Sequence, residues 1–142
     1  VSSGPDRRRE TFSRDDRLRK RREFEECYAS GVRVSGRHLQ LFLLPAGTSS
    51  RAVSAGPDRP PRPRLGLSVG RRVGGAVTRN RVRRRLREIF RRNRDVFGRR
   101  VADLVVNARS SSSQASFAEL AEEYRALLAK TLARLPEERR SR

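Results

Sequence analysis

The chain has 142 residues and carries 35 Lys and Arg against 16 Asp and Glu, a formal net charge of +19. That excess excludes an ordinary near-neutral enzyme acting on small molecules and calls for a polyanionic partner. Leu, Ile, Val and Phe number only 33, close to the composition at which highly charged chains stay unfolded, but 21 of them fall between residues 65 and 135, so one folded domain with polar ends is expected.

Residues 1–17 (VSSGPDRRRETFSRDDR) lack apolar periodicity and read as a flexible basic arm, with the domain expected over residues 18–135. Leu18, Phe24, Cys27 and Tyr28 predict a short helix closed by Gly31, and Val32–Val34 a brief extended piece. The run HLQLFLL at residues 38–44 alternates, with Leu39, Leu41 and Leu43 on one face of a strand and His38, Gln40, Phe42 and Leu44 on the other. Pro45 stops it. Residues 45–64 hold five of the seven prolines and predict a long surface loop. Leu65–Val69 is a second strand, its large residues Leu65, Leu67 and Val69 opposite the small Gly66 and Ser68.

A helix is expected over Arg79–Phe97, with Val82, Leu86, Ile89, Phe90, Val96 and Phe97 as its apolar stripe and Arg83, Arg84, Arg87, Arg91 and Arg94 on the other side. Ala102–Ala108 is a third strand and Ser110–Ser113 a loop. Ser116 and Glu119 have the spacing of a capping box. They open a last helix over 117–135, with the stripe Phe117, Leu120, Tyr124, Leu127, Leu128 and Leu135. Residues 136–142 form a charged tail. No window approaches the length of an apolar membrane span, so a soluble, cytoplasmic chain is expected.

Eleven arginines between Arg71 and Arg94 meet one acid, Glu88. Like charges three and four residues apart on a helix repel by ~0.2–0.5 kcal/mol per pair, and a bound phosphate backbone reverses that sign. The glycines of Gly70–Ala76 allow close backbone approach, and the helix start behind them favours anions. The spacing is not that of a nucleotide-binding loop, since neither GxxxxGK[ST] nor a strand followed by GxGxxG is present. Cys27 and His38 are the only residues of their kinds. They exclude an intramolecular disulfide and cannot supply a zinc site, and are expected to be a packed thiol and a polar strand-edge side chain. Glu88, Asp95 and Asp103 are isolated in sequence, which argues against a nuclease with its own active site.

The run RLGLSVGRRVGGAVTRNRVRRRLREIFR (Arg64–Arg91), together with RLRKRREFEECYASG (Arg17–Gly31), ADLVVNAR (Ala102–Arg109) and the closing helix, resembles the protein component of bacterial ribonuclease P. Arg71 and Arg72 stand where that family has lysines, Gly75 replaces a common basic residue, and the 45–64 loop is long. The resemblance implies an α+β, single-domain αβββαβα two-layer sandwich with a left-handed βαβ crossover, similar to a ribosomal-protein domain. It also implies a subunit of an endoribonuclease whose chemistry belongs to its RNA. The catalytic RNA subunit, with Mg²⁺ bound mainly by that RNA, removes the 5′ leader of precursor tRNA. No organic cofactor, catalytic residue, metal ligand, membrane or obligate protein partner is implied for the protein.

Carried over, the RNA-subunit surface is Arg71, Arg72, Arg79, Asn80, Arg81, Arg84 and Arg87, and the leader surface is Phe24, Tyr28 and Phe42. The residues support the second surface in their own right. Phe24 and Tyr28 share a helix face, while Phe42 points away from the leucine face, so Gly66 and Ser68 leave a shallow floor for an extended RNA strand stacked on aromatic rings. The alternative places Phe24 and Phe42 in the core. A structural protein of the ribosome or of another RNA would show the same charge and nearly the same fold without such a cleft, and a DNA-compacting protein is a further reading.

Overall fold

The computed structural model describes residues 16–45, 62–98 and 100–135. Residues 1–15 of the expected arm, the interior of the proline-rich loop and the charged tail lie outside them. Two residues assigned to the arm belong to the fold: Asp16 is fully buried, and Arg17 forms a parallel bridge with Leu65.

Helix α1 (Arg21–Ser30) starts three residues after Leu18. The Leu18 N–H donates to the Leu65 carbonyl at 2.9 Å, so this residue is held extended beside a strand rather than in the helix. The backbone amides of Arg19 and Lys20, each 3.2 Å from Glu23 Oε1, are satisfied by that carboxylate. Gly31 closes the helix, its N–H donating to the Cys27 carbonyl at 2.9 Å.

Strands β1 (Val32–Ser35) and β2 (Leu39–Pro45) form an antiparallel pair in which Val34 faces Leu41. Their turn is clamped from outside by Glu123, whose Oε2 accepts the His38 and Leu39 N–H groups at 2.8 Å each. Strand β3 (Arg64–Val69) leads through a 3₁₀ turn (Arg71–Val73) into α2 (Ala76–Arg92). Strand β4 (Ala102–Ala108) then enters between β2 and β3, giving the order β1-β2-β4-β3. It runs antiparallel to β2 and parallel to β3, as a βαβ unit requires. Helix α3 (Phe117–Arg134) completes the order αβββαβα, and both halves of its capping box are made: the Glu119 N–H donates to Ser116 Oγ at 3.0 Å and the Ser116 N–H to Glu119 Oε1 at 2.8 Å.

The helix expected over 79–97 is shorter at its far end. Asn93 Nδ2 takes the Ile89 carbonyl at 2.7 Å, and a 3₁₀ turn (Arg94–Phe97) follows. The change of pitch keeps Phe97 in the core but expels Val96 from the predicted stripe, leaving it 42% exposed.

The alternation of β2 organises the interior. Leu39, Leu41 and Leu43 join Leu104, Val106, Phe90 and Tyr124 in a main core shared with α2 and α3. Phe42, Leu44 and Val105 point to the other face, where they meet Leu18 and Cys27 beneath α1, with Phe24 at the margin. The two-layer sandwich thus carries α1 over part of its reverse face, and both parities of β2 are buried at that end.

Candidate nucleic-acid interface

The turn before α2 depends on Gly74, whose φ of +151° is strained for any residue with a side chain. It lets the chain enter α2 from Gly75 with no acidic residue in the first turn, so the amides at the start of the helix are opposed by no carboxylate of their own. Arg71 and Arg72 are exposed on the 3₁₀ turn beside this entry. Arg79 folds back on it, Nε donating to the Gly74 carbonyl at 3.1 Å. Asn80 Oδ1 accepts from Arg83 Nη1 at 3.0 Å, and Arg84 is exposed one turn further.

Several of the eleven arginines are engaged within the fold, Arg83 among them through Asn80 and the Val69 carbonyl. Arg85 Nη1 donates to the Ala115 carbonyl at 3.1 Å, a bond that ties α2 to the segment before α3. Arg91 and Arg92 both engage Glu88, and Arg92 also lies 5.5 Å from the Phe117 ring centroid. The Arg91 side chain above all, with Arg92 beside it, holds the Glu88 carboxyl at about 2. Arg94, expected on the solvent side, turns inward because it belongs to the 3₁₀ turn. It pairs with the buried Asp16 carboxylate at 2.8 Å and covers the Phe90 ring at 5.7 Å. What remains turned toward a partner is the group around the helix entry: Arg71, Arg72, Asn80, Arg81 and Arg84, with Arg79 and Arg87 half-buried behind them.

On the reverse face the structure brings Tyr28 and Phe42 together, ring centroids 4.8 Å apart and edge to face. Phe24 lies over Gly66, where a Cβ would come within 2.7 Å of its Cζ, so the glycine is required by the close approach of the ring. The expected parity of Phe42 is correct, but the expected openness is not: Phe42 is 7% exposed because α1 seals it in the smaller core, whereas Tyr28 is 40% exposed. The floor expected at Gly66 is filled by Phe24.

An open polar row lies one pair further along. Ser35, Gln40, Asn107 and Ser68 are register partners across all four strands. Gln40 Nε2 donates to Ser35 Oγ at 2.8 Å, and the Tyr28 hydroxyl donates to Asn107 Oδ1 at 3.0 Å. The sequence reading does not single out Asn107, although it and Asp103 are the two polar residues of the otherwise apolar ADLVVNA strand.

Charge pairs fasten α1 to the sheet. Arg64 reaches Glu23 Oε2 at 3.1 Å and both oxygens of Asp103 at 3.2 Å. Burial opposes ionisation of Glu23, yet its bonds to the Lys20 amide and to Arg64 leave its pKa below the ordinary value. Burial pushes the Cys27 thiol up to about 12, which fits packing rather than reactivity. His38 is half-buried at the start of β2, with Nδ1 2.7 Å from Ser111 Oγ. The carboxylates of this region are committed to arginines. Among the described residues no group of three His, Cys, Asp or Glu side chains gathers in a way that could hold a metal ion, and no helix is long and apolar enough to cross a membrane.

Comparison with known proteins places this arrangement. The family model Ribonuclease P matches residues 12–132. The ribonuclease P protein component of Acidothermus cellulolyticus is 43% identical over 112 residues, covering 79% of this chain and 84% of that protein. That of Desulfovibrio desulfuricans is 36% identical over 131 residues, covering 91% and 92%. Among solved structures, the RNase P protein from Thermotoga maritima is 29% identical with a TM-score of 0.62, covering 84% of this chain and 97% of that one. The Staphylococcus aureus RNase P protein, 23% identical with a TM-score of 0.64 over 84% and 95% of the two chains, shares the fold. With the family model spanning most of the chain, the basic entry to α2 and the aromatic face under α1 are those of a protein that belongs to the bacterial ribonuclease P protein component family.

Proposed function

We propose that this chain binds the catalytic RNA subunit of ribonuclease P at the entry to α2 and the 5′ leader of precursor tRNA along the reverse face of the sheet. By holding both it promotes endonucleolytic 5′ maturation of tRNA by the RNA. Arg71, Arg72, Arg79, Asn80, Arg81, Arg84 and Arg87 carry the first contact, and Tyr28, backed by Phe42 and Phe24, the second. The leader lies across the Ser35, Gln40, Asn107 and Ser68 row, one base stacked on Tyr28. Mg²⁺ is assigned to the RNA, because the carboxylates of Asp16, Glu23, Glu88 and Asp103 are bound to arginines of the protein itself.

The observation that carries this reading is the opposition of two unlike surfaces: a face of arginines with one acid, itself already paired, and an exposed tyrosine beside a polar row on the far side of the sheet. A protein that served an RNA only as structural ballast would have use for the first alone.

The test adds the full chain to a bacterial ribonuclease P RNA at low Mg²⁺ with precursor tRNA. The chain should restore cleavage at the mature 5′ end where RNA alone is limited by phosphate repulsion, and should cleave nothing without RNA. Cleavage by RNA-free protein, or no gain in cleavage by the RNA, overturns the proposal.

A further inference from the structure

Asn80 stands in the middle of the basic entry group, between Arg79 and Arg81, and its amide is already half used inside the fold. Its Oδ1 accepts from Arg83 Nη1 at 3.0 Å. A guanidinium has donors only, so the atom facing it has to be the oxygen, and the amide is fixed with its NH₂ turned the other way. Asn80 is exposed, and that Nδ2 makes no hydrogen bond among the described residues.

Arg83 is anchored in turn. It is half-buried one turn further along α2, and its Nη2 donates at 3.5 Å to the carbonyl of Val69, the last residue of the strand against which α2 packs. Both terminal nitrogens thus look back into the protein. The same spacing recurs at the far end of the helix with the opposite consequence. Glu88 stands three residues before Arg91 as Asn80 stands three before Arg83, but that acid is taken up by Arg91 and Arg92 and is closed to RNA. An amide in such a place satisfies its arginine with a neutral oxygen and keeps two hydrogens for a partner.

We propose that Arg83 is a positioning residue of the RNA-subunit interface: it holds the Asn80 amide so that Nδ2 donates to an acceptor atom of the RNA, while Arg83 itself contacts none. The inference rests on the function proposed above and deepens it. The Asn80 contact becomes directional, recognised by geometry rather than by charge, and Arg83 is set apart from the arginines that meet phosphate. An exposed asparagine without such an anchor turns freely about its side-chain bonds, and ordering it on binding would cost roughly two- to tenfold in affinity.

The test uses the full chain and a bacterial ribonuclease P RNA, with affinity measured over a range of salt concentrations and Tm recorded for each variant. Arg83→Met keeps most of the stem and removes the donors. It should bind the RNA roughly two- to tenfold more weakly, at unchanged Tm and with the salt slope of the wild type. Arg84→Met, on the exposed side, supplies the contrast, since losing a phosphate contact lowers that slope by about one unit. In the Asn80→Ala background Arg83→Met should add no further loss, because no amide is left to hold. Asn80→Asp keeps an oxygen for Arg83 and replaces the NH₂ by a second oxygen, so it should fold as well as the wild type and bind no better than Asn80→Ala. A slope lowered by about one unit in Arg83→Met, losses that add in the double variant, or wild-type affinity in Asn80→Asp each overturns the inference. If the losses add while Asn80→Ala alone still weakens binding, the proposed function stands without it. If neither Asn80→Ala nor Arg84→Met weakens binding, docking of the RNA subunit at the entry to α2 falls as well.

Discussion

Tyr28 and Phe42 touch edge to face, yet one is reachable by a ligand and the other is walled in, and their substitutions should separate accordingly. Tyr28→Ala removes a half-exposed ring at little cost to folding and should reduce affinity for leader-bearing precursor tRNA by ~1–3 kcal/mol, with leaderless tRNA unaffected. Phe42→Ala empties the smaller core and should cost ~3–5 kcal/mol of stability, read as a lower denaturation midpoint in urea. If Phe42→Ala unfolds at the wild-type midpoint, the ring is not core. A second residue-scale prediction concerns Tyr124, whose hydroxyl is buried with no hydrogen-bond partner among the described residues, in surroundings that push its pKa upward by desolvation. Tyr124→Phe keeps the ring and deletes an unsatisfied polar atom, so the variant should be as stable as the wild type or more so. A clear fall in Tm would show that the hydroxyl is satisfied in solution. Phe42 and Tyr124 mark the limit of pattern reading. Their parity and spacing are visible in the sequence, whereas their access to solvent depends on which helix packs above them.

At the scale of elements, α1 is fastened by charge as well as by apolar contact. Arg64 on β3 bridges Glu23 on α1 and Asp103 on β4, and removing it strands two acids in a poorly solvated place. Arg64→Ala should destabilise the fold by ~3–5 kcal/mol. Arg64→Lys should recover only part of that, since an ammonium cannot reach both carboxylates with a planar fork; equal stability of the lysine variant and the wild type would show that charge alone suffices. Because α1 carries Phe24 and Tyr28, loosening it should also weaken leader binding while contact with the RNA subunit through α2 persists. The capping box of α3 and the pleat of β2 were legible beforehand because both are local: a serine three residues before a glutamate, and leucines at every second position. The end of α2 was not, since Asn93 competes for the Ile89 carbonyl through its side chain, and periodicity does not register that competition.

For the whole molecule, the acid limb of stability follows from the paired carboxylates. Glu23 and Glu88 both titrate below their ordinary value when folded, Glu88 at about 2. A group whose pKa is lowered by folding stabilises the native state above its unfolded pKa, and that contribution is lost as pH falls through the folded value. Stability should therefore decline from about pH 4.5 toward pH 2, and Glu88→Gln should flatten the lower part of that decline in urea titrations taken at successive pH values. An unchanged slope would mean that Glu88 is no better paired in the native state than in the unfolded one. The sequence by itself determined the order αβββαβα, the position of the basic segment and the family, because each is written in neighbouring residues: alternation, helical spacing, and a motif of contiguous arginines, glycines and asparagine. Only the tertiary structure decided which arginines are engaged within the fold and why Phe42 is sealed while Tyr28 is open. Those outcomes rest on contacts between segments far apart in the chain, where burial and the pairing of charges are settled by what the fold brings alongside.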